Sequence, residues 1–339
     1  MTTDGPRAGV RYAIGVDLGG TTVKAALVER DAGIVARTSV ATDADAGPER
    51  VLDRVAEATV RVLASLPDGA AVGGMGLGAP GVVSLDRRTV RRPPNFPGWD
   101  EVVMPDALGA RLAPHPRWAD GAPVLVENDA NVAGLGSAFY GAGRPFPSFV
   151  MVTLGTGVGG AILVDRRLFR GTTGAAGEIG HMSIDYEGPY SRAGVAGAIE
   201  AYLGQRFLSR HARYRLLARD TELHETAGAD LAEITPQAIY EAAADGDEEA
   251  RAVLSWAGHK LGVLLGSVVN LLDIRKVVVG GGVSAAGDFL LAPARKAMRR
   301  AVMPALLDGV EIVQETQGND VALLGAARLV FEADDDAAG

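Results

Sequence analysis

Hydrophobic positions change period along the chain, and the changes mark out elements. Residues 12–17 form an apolar run that ends on Gly19-Gly20, a strand entering a tight turn. Residues 23–29 and 34–40 alternate or are β-branched, so they continue as antiparallel strands. Residues 48–66 switch to helical spacing through Val51, Val55, Val60 and Leu63, with Glu49 near the start. Residues 71–78 read as a buried strand, 101–112 as a helix, 123–127 as a strand and 129–140 as a helix. Strands alternating with helices predict an α/β chain with a mixed sheet.

The second half repeats this grammar. Strands are predicted over 149–154 and 159–164 around a glycine turn. Long helices follow at 195–212 and 248–272, then a strand at 276–279 running into Gly280-Gly281-Gly282. A helix at 289–302, a strand at 311–315 and a last helix at 321–331 complete the pattern. One segment recurs without gaps. Residues 16–30 lie on residues 152–166 with Val, Leu, Gly, Ala, Leu, Val and a final Arg matched, and Glu29 faces Asp165. A strand–turn–strand unit used twice predicts duplicated domains facing a cleft.

Composition narrows the reading. A length of 339 residues suits about two domains, and 47% hydrophobic residues supply a core for each. The net charge of −9 disfavours nucleic acid and anionic membranes as partners. Arg87, Arg88, Arg91 and Arg92 form the one basic group, and it reads as a solvated hairpin face. Without cysteine there is no disulfide and no zinc–thiolate site, which fits a cytoplasmic protein. Residues 1–11 lack the apolar stretch of a signal peptide, and no run of 18 apolar residues predicts a spanning helix. Residues 334–339 read as a frayed acidic tail.

Two segments match G-x-G-x-x-G, at 76–81 and 155–160, but neither opens a helix, so neither reads as a dinucleotide site. No P-loop pattern is present. Asp17-Leu-Gly-Gly-Thr-Thr22 is a different phosphate device. Its glycines admit close backbone approach, its turn amides and the Thr21 and Thr22 hydroxyls donate to oxyanions, and Asp17 can hold hydrated Mg²⁺ on a nucleotide. Gly155-Thr156-Gly157 can grip phosphate from the other side, and the glycines at 280–282 offer a third approach; each also reads as a plain turn. Glu127-Asn128-Asp129-Ala130-Asn131 follows a wholly apolar strand. Helix capping explains one polar residue there, not four. A carboxylate at such a strand end can take a proton from a hydroxyl attacking phosphate. Glu178 and His181, bounded by glycines, pair an acid with a base and read as a binding pair.

These motifs together resemble the ROK family (repressors, open reading frames, kinases) over residues 12–331, through 17–24, 78–81, Asn95 with Gly98-Trp99, 127–131, 154–160, 177–181 and 280–284. The resemblance implies two ribonuclease-H-like α/β domains of the actin/hexokinase type around a central cleft. It places a small domain at 1–127 plus 320–333 and a large one at 128–319. Asp129 is then the catalytic base, and Gly81, Asn95, Asn128, Glu178, His181 and Glu200 bind sugar hydroxyls. ATP lies on Asp17, Gly19, Gly20, Thr21, Thr22, Lys24, Thr153, Gly155, Thr156, Gly157 and Gly281, with Mg²⁺ held by Asp17 through water. The implied reaction is phosphorylation of a hexose, glucose to glucose 6-phosphate, by a homodimer. Kinases for fructose, mannose, N-acetylmannosamine, N-acetylglucosamine or an aminosugar remain open, as does a sugar-sensing regulator. About eleven residues precede the first predicted strand, too few for the DNA-binding segment of family repressors. An actin-like structural ATPase has no need of the Glu178–His181–Glu200 set.

The chain departs from the family at one place. The family's zinc site uses three cysteines in a C-x-C-G-x-x-G-C-x-E stretch, and the matching residues 188–200 keep glycines and Glu200 but no thiolate. Zinc is not expected. Packing by Tyr190, Val195 and Ile199 is the expected substitute.

Overall fold

A computed structural model describes residues 9–119 and 121–338. The predicted polar opening at 1–11 thus lies outside the described residues as far as residue 8. Contacts divide the chain into two compact units, residues up to 144 with 167–176 and 319 onward, and residues 145–166 with 177–318. The first break therefore falls after Arg144, whereas the sequence reading placed it after Glu127.

In the first unit β1 (Tyr12–Leu18), β2 (Thr22–Glu29) and β3 (Gly33–Ala41) form an antiparallel meander. α1 (Pro48–Leu63) then crosses to β4 (Val72–Ala79), which lies parallel to β1. A small sheet follows, β5 (Val82–Val83), β6 (Thr89–Arg91) and β7 (Glu101–Val103), with α2 (Met104–Leu112) behind it. β8 (Val124–Asn128) pairs parallel to β4 and leads directly into α3 (Asp129–Tyr140). The main sheet has the order β3-β2-β1-β4-β8.

Side-chain size decides what packs on each face. Along β1, Tyr12, Ile14, Val16 and Leu18 point to a core shared with Val51, Leu52, Val55 and Leu108 of α1 and α2. The alternate positions are small, Ala13 and Gly15, because the C-terminal helix Val321–Ala338 lies almost on the strands. A Cβ at Gly15 would fall 1.9 Å from Leu323 O, and one at Gly76 would fall 1.7 Å from Ala326 O. Leu323, Leu324, Val330 and Phe331 seal that face.

The second unit uses the same plan. β9 (Phe149–Leu154) and β10 (Val158–Val164) form the hairpin; β11 (Arg167–Leu168) belongs to this sheet by pairing, although residues 167–176 group with the first unit by contacts. After the helices α4 (Glu200–Leu203), α5 (Gln205–Leu216), α6 (Leu223–Thr226), α7 (Pro236–Asp245) and α8 (Glu248–Leu272) come β12 (Lys276–Gly280), α9 (Asp288–Ala301) and β13 (Glu311–Gln314). The order β11-β10-β9-β12-β13 repeats that of the first sheet. Gly258 and Gly262 of α8 let α9 approach, since Cβ atoms there would lie 2.1 and 2.2 Å from the Leu290 and Ala294 carbonyls. By length and composition α8 could cross a membrane, yet most of its apolar window is buried inside the unit. Glu248, Glu249 and Arg251 near its start and Lys260 at its middle leave no continuous run of 18 apolar residues.

Four sequence expectations change. The helix expected over 101–112 begins at Met104, because Val102 and Val103 pair with β6 and Pro105 sits in the first turn. The helix expected over 195–212 is two helices, broken at Gly204, and starts only at Glu200, after Gly197 at φ 63. The acidic tail is helical to Ala338, with Asp334 and Asp335 bound to Arg30. Of the basic hairpin, Arg88, Arg91 and Arg92 pair with exposed carboxylates, but Arg87 turns inward to the buried Glu127.

Gly76→Ala should push the C-terminal helix off the sheet and cost about 3 kcal/mol in urea unfolding. A variant within about 0.5 kcal/mol of the parent would mean that the helix has room to spare.

Candidate active site

Parallel pairing gathers the first unit's polar residues at one end of its sheet. Asp17 of β1 lies beside Gly78 of β4, and Gly78 beside Glu127 of β8. The chain therefore leaves all three strands at the same level, which is where open α/β sheets bind ligands. After β1, the Gly19 amide donates to Thr22 O at 3.1 Å, and the Thr42 hydroxyl donates to Gly19 O at 2.6 Å. The turn is tied from behind, and Gly20 and Thr21 stay exposed. Burial pushes the Asp17 carboxyl up, and Lys24, 3.6 Å away, pulls it back toward the charged form.

After β4, Gly81 sits at φ 90, where a Cβ would meet Arg91 O and Pro93 Cα at 3.0 Å. Asn95, also left-handed at φ 69, lies against Gly20. After β8, Asn128 caps α3: its Oδ1 accepts the Ala130 and Asn131 amides at 2.9 and 3.2 Å. Its Nδ2 donates to Gly81 O at 3.2 Å, which fastens the two candidate sugar residues together. The cap position is thus filled by Asn128, and Asp129, the first helical residue, is exposed.

Glu127 needs an account of its own. It is wholly buried. Its Oε1 accepts the Asn128 amide at 2.9 Å and Asn131 Nδ2 at 3.0 Å. Its Oε2 lies 3.3 Å from Arg87 Nε and 2.7 Å from Arg170 Nε. The Arg170 contact is an ion pair out of line for a hydrogen bond, since that Nε has no hydrogen-bond acceptor. Sequence reasoning quoted Glu127 but missed both arginines. A charge ending an apolar strand signals that a partner exists, yet nothing local says which residue supplies it.

In the second unit, Thr153 pairs with Gly280, so the ends of β9 and β12 are adjacent. Gly281 is at φ 84, and a Cβ there would lie 2.4 Å from Leu154 O. In the turn after β9 the Gly155 amide donates to Gly157 O at 2.9 Å, and the Gln205 amide donates to Gly155 O at 2.9 Å. Thr156 is exposed at the tip. Glu200 accepts the Val158 amide at 3.3 Å and packs where a Gly157 side chain would be. Candidate sugar and phosphate residues therefore touch within this unit.

Glu178 and His181 flank a single 3₁₀ turn, with Glu178 Oε2 3.7 Å from His181 Nε2. His181 Nδ1 is buried without a hydrogen-bond partner. Burial raises the Glu178 carboxyl; His181 lowers it and the Glu200 charge raises it further. The cysteine-free loop leading to Glu200 is held by its own backbone. Bridges join Ser183 to Ala198 and Tyr190 to Ala196, and the Ile184 amide donates to Gly197 O at 2.9 Å. The Tyr202 hydroxyl donates to Asp185 at 3.3 Å. Ile199 is buried as expected, but Tyr190 is 70% exposed, so it does not provide the packing assigned to it.

The donor set suits a nucleotide with a hydrated cation. Within the first unit, the exposed turn, the Thr21 hydroxyl, Lys24 and the single carboxylate of Asp17 have the chemistry to hold phosphate whose metal keeps its own waters. Among the described residues no cluster of three or more His, Asp or Glu is placed to grip a metal directly.

The family model described as ROK family matches residues 13–333. A glucokinase of Thermotoga maritima is 31% identical over 319 residues, covering 94% of this chain and 97% of its own. A glucokinase of Streptomyces coelicolor is 34% identical over 335 residues, 95% of this chain and 98% of its own. A solved ROK family glucokinase from Streptomyces griseus, in complex with glucose and AMPPNP, superposes with a TM-score of 0.77 at 33% identity, over 94% of this chain and 98% of that one. The two-domain α/β fold is shared with such structures.

Carboxyl ¹³C titration should place Glu178 above the ordinary glutamate range. Glu200→Gln should lower it, because a negative neighbour is removed, and His181→Gln should raise it. A Glu178 indifferent to both changes would break up the cluster.

Proposed function

The chain belongs to the ROK family, and we propose that it is a sugar kinase that passes the γ-phosphoryl group of ATP to a hexose, with glucose yielding glucose 6-phosphate. The glucokinase relatives, which align over nearly their full lengths, support this reading. The observation that carries it is local. Asp129 stands exposed at the first position of α3, its neighbours are pinned on both sides, and the capping duty belongs to Asn128. Its Oδ1 accepts the Ala130 amide at 2.8 Å, which orients the carboxylate at the helix start, and an exposed carboxylate there can act as a base.

Phosphoryl transfer asks for positioning and charge stabilisation more than for covalent chemistry. Asn95, Asn128, Glu178, His181 and Glu200, with the Gly81 backbone, hold the sugar hydroxyls. Asp129 takes the proton of the 6-hydroxyl as that oxygen attacks. The turns at Gly19–Thr22 and Gly155–Gly157 and the backbone at Gly281 hold the phosphates, aided by Lys24. Asp17 would hold a hydrated Mg²⁺, which would supply positive charge to the transferring group when bound.

Asp129→Asn should leave sugar binding within about threefold and cut kcat by about a hundred- to ten-thousand-fold. A coupled ADP-release assay over a sugar panel, with Mg²⁺ present, measures both. Near-normal kcat would remove Asp129 from this role, and turnover on another hexose but not on glucose would reassign the substrate.

A further inference from the structure

We infer that Glu127 and Arg170 form a positioning pair that sets the opening of α3, and with it the reach of Asp129, although neither belongs to the binding set. This rests on the kinase reading above.

Glu127 Oε1 takes the Asn128 amide and the Asn131 side chain, the residues just before and two after Asp129. Asn128 in turn takes the Ala130 and Asn131 amides. Asp129 is therefore enclosed by a ring of bonds that closes on one buried carboxylate. A plain helix cap needs Asn128 alone; the link from Glu127 to Asn131 adds nothing to capping but fixes the rotation of the first turn.

Two cations face the other oxygen, and they differ in what they carry. Arg87 belongs to the turn between β5 and β6, and its own carbonyl accepts the Val126 amide at 3.0 Å. It lies 4.0 Å from Glu332 of the C-terminal helix, so its charge is shared. Arg170 has Glu127 as its carboxylate partner, and its remaining guanidinium nitrogens donate to the Leu85 and Ser84 carbonyls at 2.6 and 2.9 Å. Its side chain is 12% exposed. A guanidinium spread over a carboxylate and two carbonyls fixes three backbone segments at once, which a lysine cannot reproduce. The segment that Arg170 anchors, residues 167–176, runs directly into Gly177-Glu178. One side chain thus ties the 167–176 segment to the end of β8, just before Asp129.

The test uses the full-length chain with Glu127→Gln, Arg170→Met and Arg170→Lys. Hydrogen exchange reads the ring directly. In Arg170→Met the Ala130 and Asn131 amides should exchange at least about tenfold faster, with α1 unchanged. Unchanged rates would overturn the pair. Steady-state kinetics on the sugar that the parent turns over best should show kcat down by about 10- to 100-fold in Arg170→Met and Glu127→Gln. The KM for ATP should stay within about threefold, with Arg170→Lys between variant and parent. A kcat loss no larger than the loss of folded protein would assign the pair to stability alone and overturn the inference. If the parent phosphorylates no sugar, the kinase reading fails by itself, and the exchange rates still decide whether the pair holds α3.

Discussion

A carboxylate with no exposed surface is tolerated only when its lone pairs are matched and its charge is opposed. Glu127 meets both conditions by drawing on two distant pieces of chain and on the start of α3 beside it. The hairpin turn, the 167–176 segment, the strand end and the first turn of α3 are all defined by satisfying that one group. Apolar side chains of similar volume would fill the same space, but they would not dictate direction. That is why the exposed residue two places along can be held in one orientation without itself being buried.

The elements that the sequence made legible are those whose signal is local. Alternation in β2 and β3, the 3.6-residue spacing of α1 and the glycine turns after β1 and β9 all announced themselves. A cap at the start of α3 was readable, as Asn128 or Asp129, because a cap acts on amides two and three residues away; the structure assigns it to Asn128. Three things were not readable, each for a physical reason. The inward turn of Arg87 depends on Glu127, which is far off in sequence. The smallness of Ala13 and Gly15 carries no local signal of its cause: it records the approach of a helix more than three hundred residues later. The loop before Glu200 resembled a helix because its apolar residues fall at helical spacing; a left-handed Gly197 and two β-bridges override that pattern.

The two units repeat one strand order but load it differently. In the first, polar groups stand at the ends of β1, β4 and β8, so they are fixed by strand register. In the second, the turn after β9 is strand-born, while Glu178, His181 and Glu200 sit on irregular chain between β10 and α5. A duplicated scaffold can keep its phosphate turns, which depend on backbone, while side-chain recognition diverges in the insertions. The recurrence of residues 16–30 at 152–166 is the sequence trace of the shared part.

The C-terminal helix also bears on how the molecule comes into being. Leu323, Leu324, Val330 and Phe331 close one face of a sheet whose strands are near the other end of the chain. A nascent polypeptide emerging from the ribosome exposes that face until residues 321–331 have been made. Residues 145–318 hold a full set of strands and helices for the second unit before that moment arrives. Vectorial synthesis therefore favours completing the later-coded unit first, leaving the earlier-coded one as the species that chaperones meet half-built.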